Sequence, residues 1–180
     1  MTTEKHIHTD LPLTLELKES APREGAYYKH GSPERKKIAE PGTPGIKLIL
    51  KGHVLDRGSN PVHHAWLDCW QADGEGKYDM EGFNLRGHQY AGHNGEFYLE
   101  TVKPAGYENR AAHINVKVRD AKNSPILTTQ LFFPDDDRNC DDPLFEEENV
   151  VDLADVEGGQ EANFDFVIKV QQPRPFTSPA

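Results

Sequence analysis

The sequence predicts an all-β protein: a single-domain antiparallel β-sandwich with an extended N-terminal arm and long loops. Three observations carry that expectation. Short apolar stretches alternate with a period of two and are bounded by turn residues. Thirteen prolines and fifteen glycines in 180 residues punctuate the chain too often for long helices. A 3.6-residue apolar period is almost absent, and no repeat, low-complexity tract or linker divides the chain.

Residues 1–45 are polar and proline-punctuated, as in "SAPREGAYYKHGSPERKKIAEPGTPG", and read as an arm or loop. The sandwich is expected over residues 46–172, with a tail at 173–180. It begins with the strand "IKLILKGHVLD" and the turn "RGSNP". The second strand, "HAWLDCWQA", places Ala65, Leu67 and Cys69 on one side and Trp66, Asp68 and Trp70 on the other. The glycine-rich "DGEGKYD" ends it. A loop through "MEGFNLRGHQYAG" and the turn "HNG" lead to the strand "EFYLETV", and "KPAGYENRA" turns the chain again. The next strand puts Ile114, Val116 and Val118 on one face and His113, Asn115 and Lys117 on the other. After "DAKNSP" come the strand "ILTTQLFF", the acidic "DDPLFEEENVVDLADV" as the best candidate for one short helix, and the last strand "NFDFVIKV".

Thirty acidic against twenty basic residues give a net charge of −10. Phosphate contacts need clustered Lys and Arg, so neither nucleic acid nor an anionic membrane is an expected partner. No apolar run reaches the length of a membrane span or a signal peptide, and a cytoplasmic location is the expectation. Cys69 sits in an apolar strand as a small hydrophobe; Cys140 lies in "DDDRNCDD", where neighbouring carboxylates oppose thiolate formation.

Of nine histidines, His6, His8, His30, His53, His63, His64, His88 and His93 lie in the arm or in and beside turns, where solvated or hydrogen-bonded roles are expected. HExxH, a Cys/His cluster and a GxSxG elbow are all missing, which sets aside a standard zinc site and a serine nucleophile.

His113 belongs to a larger pattern. "WQADGEGKYD" carries Tyr78, "TVKPAGYENRAAHIN" carries Tyr107, Arg110 and His113, and "LTTQLFFPDD" carries Gln130. In order and spacing these blocks resemble the intradiol ring-cleavage dioxygenases, best known for members acting on protocatechuate and catechol. The resemblance extends upstream through "REGAYY" and "LILKGHVLDRGSNPVHHAWLDCWQAD" and covers roughly residues 20 to 170. It implies a non-haem Fe(III) held by two tyrosinates and two histidines, with Tyr78, Tyr107 and His113 matching three of those ligands. Phenolates are hard anionic donors that favour iron(III), and a bound cation keeps them ionised near neutral pH. The resemblance further implies that Tyr107 leaves the metal to take up a substrate proton. Arg110 would stabilise negative charge developing on the ring, and Gln130 would line the site. The implied partners are an aromatic 1,2-diol and O2, with Arg110 and Arg86 as local cations for an anionic substrate. A homo-oligomer, if formed, would be built from the sandwich or its arm.

The family's second histidine falls on Asn115, on the same face as His113. A neutral amide oxygen is a weaker donor than imidazole. Several outcomes stay open: a dioxygenase of altered or reduced activity, with Asn115 or water completing the shell or His88 substituting; a protein with different aromatic-ring chemistry; a non-catalytic β-sandwich binding module; or an introduced change that disables the site.

Overall fold

The computed structural model describes residues 24–122 and 124–171. The first 23 residues, with His6 and His8, and the tail expected at 173–180 lie outside the described residues. The strands are β1 (Lys47–Asp56), β2 (Trp66–Gln71), β3 (Arg86–Tyr90), β4 (Glu96–Val102), β5 (His113–Arg119), β6 (Leu127–Phe132), β7 (Asp152–Val156), β8 (Gly159–Asn163) and β9 (Phe166–Ile168). They form two sheets. One runs in the order β4-β1-β8-β7, with β9 also paired to β1; the other runs β3-β2-β5-β6. Pairing is antiparallel except where β1 meets β8 and β9.

Alternation explains the layers. Leu48 and Leu50 of β1, Phe97 and Leu99 of β4 and Phe166 and Ile168 of β9 face Leu67 and Cys69 of β2 and Ile114, Val116 and Val118 of β5 in one core. Each such side chain stabilises the fold by ~2 kcal/mol when fully removed from water. The arm closes one open flank. Arg35 N–H donates to His88 O on β3 at 2.9 Å, and Ile38 N–H donates to Glu100 O on β4 at 3.0 Å, so one segment joins the edge strands of both sheets. Ile38 is wholly buried in the core.

Gly52 of β1 marks a backbone crossing. A Cβ there would stand 1.8 Å from the carbonyl oxygen of Phe164, whose N–H donates to Lys51 O at 3.0 Å. Because the obstacle is main chain, Gly52→Ala is expected to lower unfolding stability by ~3 kcal/mol, read as a drop in the urea midpoint. An unchanged midpoint would contradict that packing.

Three strands exceed the six expected, and the expected helix is not formed. β3 escapes a periodicity reading because its sequence, "RGHQY", has a buried arginine and a glycine in place of apolar alternation. Gly87 is required by the arm, since a Cβ would lie 2.7 Å from Ile38 Cγ2. β7 and β8 form a largely exposed hairpin around Gly158, at φ +81°, with few core residues to betray it. The acidic segment holds one short 3-10 turn, Glu147–Asn149, and then strand β7, while another 3-10 turn, Asp137–Asp141, ends where it begins. Carboxylates here serve the loop instead: Asp136, just before the segment, accepts from Arg138 N and Ala112 N, and Asp142 from Ala111 N and Leu144 N. Among the described residues no helix is long and apolar enough to cross a membrane.

Candidate metal centre

The polar face of β5 is not a wet face. His113, Asn115 and Lys117 are 2%, 3% and 5% exposed, covered by the segment after Glu24 and by the loops that follow β2, β4 and β6. Lys117 forms an ion pair with Glu24 and stands 3.7 Å above the Tyr28 ring.

Two tight loops deliver the tyrosines. After β2, Asp73 Oδ1 accepts from Glu75 N–H at 2.8 Å and Lys77 N–H at 3.1 Å, fixing the turn that precedes Tyr78. After β4, Tyr107 and Arg110 exchange main-chain hydrogen bonds of 3.1 and 2.8 Å across a turn in which Glu108 has φ 51°. The loops touch at their glycines: Gly76 has φ +81°, and a Cβ there would meet Gly106 O at 2.7 Å. Any side chain at Gly76 would push the two tyrosines apart.

The result is a meeting of three donor atoms. Tyr78 Oη and Tyr107 Oη are 3.2 Å apart, and each is 3.4 Å from His113 Nε2. A triangle with those sides has a centre about 1.9 Å from each corner, close to the ~2.0–2.2 Å of ordinary metal–oxygen and metal–nitrogen bonds. His113 Nδ1 lies 2.7 Å from Ala111 O, a carbonyl that can only accept. The ring proton therefore sits on Nδ1, and the Nε2 lone pair points at the phenols, as in a metal-ligating histidine. Tyr27 stacks on Tyr78 with centroids 4.2 Å apart and meets Tyr107 edge-on at 5.8 Å.

Burial raises the Tyr78 pKa well above the ordinary phenol value. The Tyr107 hydroxyl adds to the rise, and Asn115 and Arg110 oppose it. Burial also raises Tyr107, against the pull of Tyr78 and Arg110. His113 is pushed down to about 4, chiefly by burial and further by Arg110, while its bond to Ala111 opposes the shift. Without metal the triad is thus two neutral phenols and a neutral imidazole. A hard cation between them would reverse the burial penalty on phenolate. Among the described residues, no three His, Cys, Asp or Glu side chains gather to hold a metal, so this donor set is phenolic in character. It fits a ferric ion.

The neutral imidazole has a measurable consequence. With a folded pKa near 4 against 6.5 when unfolded, His113 favours folding fully above pH 6.5, and its contribution is lost as pH falls towards 4. Metal-free protein should lose ~3 kcal/mol of stability across that window through this residue. A His113→Phe variant should show a correspondingly flatter pH dependence of its urea midpoint; an identical slope would contradict the assignment.

Arg110 and Gln130 also reach the site. Arg110 Nε donates to both oxygens of Asp142, at 3.1 and 3.0 Å, and Nη2 donates to Gln130 Oε1. Gln130 Nε2 donates to Asn115 Oδ1 at 3.0 Å. Asn115 Nδ2 donates to Trp70 O and to Tyr78 Oη, each at 3.1 Å. Arg86 is placed differently: it is 1% exposed, and its guanidinium donates to Asp79 O, Tyr27 O and Met80 Sδ. Its visible task is to hold the loop and the segment bearing Tyr78 and Tyr27. His88 also turns elsewhere, with Nδ1 donating to Ser32 O at 2.8 Å. Tyr27 and Asp142 escaped the residue-by-residue reading. The signal for Tyr27 was the "REGAYY" segment; nothing in the run of five acids around Cys140 singles out Asp142.

A cavity of about 540 Å³ lies beside β6, lined by Leu127, Phe132, Leu144, Phe164 and Phe166 among others. It reaches Gln130 and does not include Tyr78, Tyr107 or His113.

The chain is similar to several known proteins. A family model described as "Dioxygenase" matches residues 23–170. Hydroxyquinol 1,2-dioxygenase of Rhizobium sp. (strain MTP-10005) is 31% identical over 144 residues, 66% of this chain and 48% of that protein. Protocatechuate 3,4-dioxygenase alpha chain of Pseudomonas putida is 32% identical over 122 residues, 59% of this chain and 61% of its own. The chain thus spans about half to three fifths of these relatives. Among solved structures, the dioxygenase domain of a dioxygenase carbohydrate-binding protein fusion from Streptomyces sp. SirexAA-E is 43% identical, with a TM-score of 0.79 over 83% of this chain and 97% of that one. The 3-chlorocatechol 1,2-dioxygenase of Rhodococcus opacus 1CP is 26% identical, with a TM-score of 0.75 over 82% and 70%. With the family model covering most of the sandwich, the chain belongs to the intradiol ring-cleavage dioxygenase family.

Proposed function

We propose that the protein is a non-haem iron(III) dioxygenase that cleaves a catecholic ring between its two hydroxylated carbons. The observation that carries this reading is the convergence of Tyr78 Oη, Tyr107 Oη and His113 Nε2 within 3.2–3.4 Å of one another. These three residues would hold the ion, with Asn115 at the position of the family's fourth ligand. Bound iron(III) would supply the Lewis acidity that takes the diol as its dianion and makes its ring reactive towards O2.

The chain's own residues divide the remaining work. The Tyr107 hydroxyl is less enclosed than that of Tyr78 and sits on the turn that also carries Arg110, which supports Tyr107 as the phenol that would take a proton from a substrate hydroxyl. Arg110, held by Asp142, brings a fixed positive charge beside Tyr107 for the negative charge developing on the ring. Tyr27 shields the Tyr78 ring face from water. The named relatives act on hydroxyquinol, protocatechuate and chlorocatechol, and an aromatic 1,2-diol is the proposed substrate class here.

The test is O2 consumption by iron-loaded protein given catechol, protocatechuate or hydroxyquinol in turn. One O2 taken up per diol, with both atoms of labelled O2 in the two new carboxyl groups of an acyclic product, is the expected result. Iron-loaded protein that consumes no O2 with any aromatic 1,2-diol would reject the reading.

A further inference from the structure

Asn115 occupies a ligand position, yet every hydrogen bond around it turns its oxygen away from the metal. The direction is set from one end by Arg110. A guanidinium can only donate, so the Gln130 oxygen must face Arg110 Nη2 and the Gln130 nitrogen must face onward. That nitrogen donates to Asn115 Oδ1 at 3.0 Å, which commits the Asn115 oxygen. The other end gives the same answer independently. Trp70 O is a main-chain carbonyl 3.1 Å from the Asn115 amide, and only the nitrogen can serve it. The second hydrogen on Nδ2 then points at Tyr78 Oη, 3.1 Å away. Both amide orientations follow from groups with fixed roles at the two ends of the chain.

Arg110 is itself anchored. Its Nε donates to both oxygens of Asp142, whose side chain is fully buried and also accepts from Ala111 N–H at 2.8 Å and Leu144 N–H at 2.8 Å. The donors therefore run one way, from Arg110 through Gln130 and Asn115 to Tyr78. Reversing any member would set donor against donor or acceptor against acceptor in a buried space, where an unmade hydrogen bond is costly.

We infer that Asn115 is a positioning residue rather than a metal ligand: held by Arg110 through Gln130, it donates a hydrogen bond to the metal-binding oxygen of Tyr78. The protein then supplies three ligands, and the fourth site is left for substrate or solvent. The inference rests on the iron-site reading above and deepens it. A hydrogen bond to Tyr78 withdraws charge from that phenolate and makes it a weaker electron donor to the ion than it would be without Asn115.

The test begins with the tyrosinate-to-iron charge-transfer band of iron-loaded protein. Asn115→Leu removes the donor and should move the band to longer wavelength, while iron still binds at one per chain within about tenfold of its original affinity. Loss of iron in Asn115→Leu, or an unmoved band, would overturn the inference. A wild-type protein that binds no iron would instead overturn the metal-site reading. In that event the hydrogen bond is read in metal-free protein, through the Asn115 side-chain amide resonance assigned by its loss in Asn115→Leu. It should move upfield and exchange faster in Tyr78→Phe, and an unchanged resonance would reject the bond itself.

Discussion

Tyr78→Phe is expected to abolish iron retention and lower ring cleavage by ~10³-fold or more, because it deletes one of the three proposed ligands and the more enclosed of the two phenol oxygens. The fold should survive. The phenol ring keeps its stack on Tyr27, and Asn115 Nδ2 keeps its bond to Trp70 O, so only the hydroxyl contacts to Tyr107, His113 and Asn115 are lost. Unfolding stability of the metal-free variant should stay within ~1 kcal/mol of the parent. Iron analysis and a urea titration on the same preparation separate the two effects. Full iron occupancy in Tyr78→Phe would remove Tyr78 from the ligand set, and a collapsed fold would show that its role is structural.

Asp142→Ala is expected to have the largest effect on stability, ~3–5 kcal/mol, the usual consequence of removing one member of a buried ion pair. Three groups lose their acceptor together: the Arg110 guanidinium and the N–H groups of Ala111 and Leu144. Asp142 therefore ties the chain just before β5 to the loop after β6, and holds Arg110 where it can act on Gln130. Asp142→Asn should cost less, since an amide oxygen can still accept from one of these donors. The check is the urea midpoint of both variants beside Arg110→Leu. A loss below ~1 kcal/mol in Asp142→Ala would mean that Arg110 is held by something else.

Much of this arrangement is legible in the letters. The β5 register follows from Ile114, Val116 and Val118 alternating with His113, Asn115 and Lys117, and that single fact places Asn115 on the same face as His113. Tyr78 and Tyr107 are harder. They stand on loops 29 residues apart, and no local period predicts that two glycine turns bring their oxygens to 3.2 Å. The ordered family blocks supplied that link. What stayed hidden was directional. A sequence cannot tell which way an asparagine amide faces, since that depends on partners such as Trp70 O and Gln130, 45 and 15 residues away. The role of Arg86 was hidden for the same reason, because a cation near the site in sequence is spent on the main-chain oxygens of Tyr27 and Asp79. The β7–β8 hairpin and β3 were hidden for a third reason: both lack the apolar alternation that marks a half-buried strand.

The most direct measurement is iron content together with the visible spectrum of protein loaded with iron(III). The account predicts one iron per chain and a phenolate-to-iron charge-transfer band that shifts when catechol is added. Protein that binds no iron(III), or binds it without colour, would contradict a centre built on Tyr78, Tyr107 and His113.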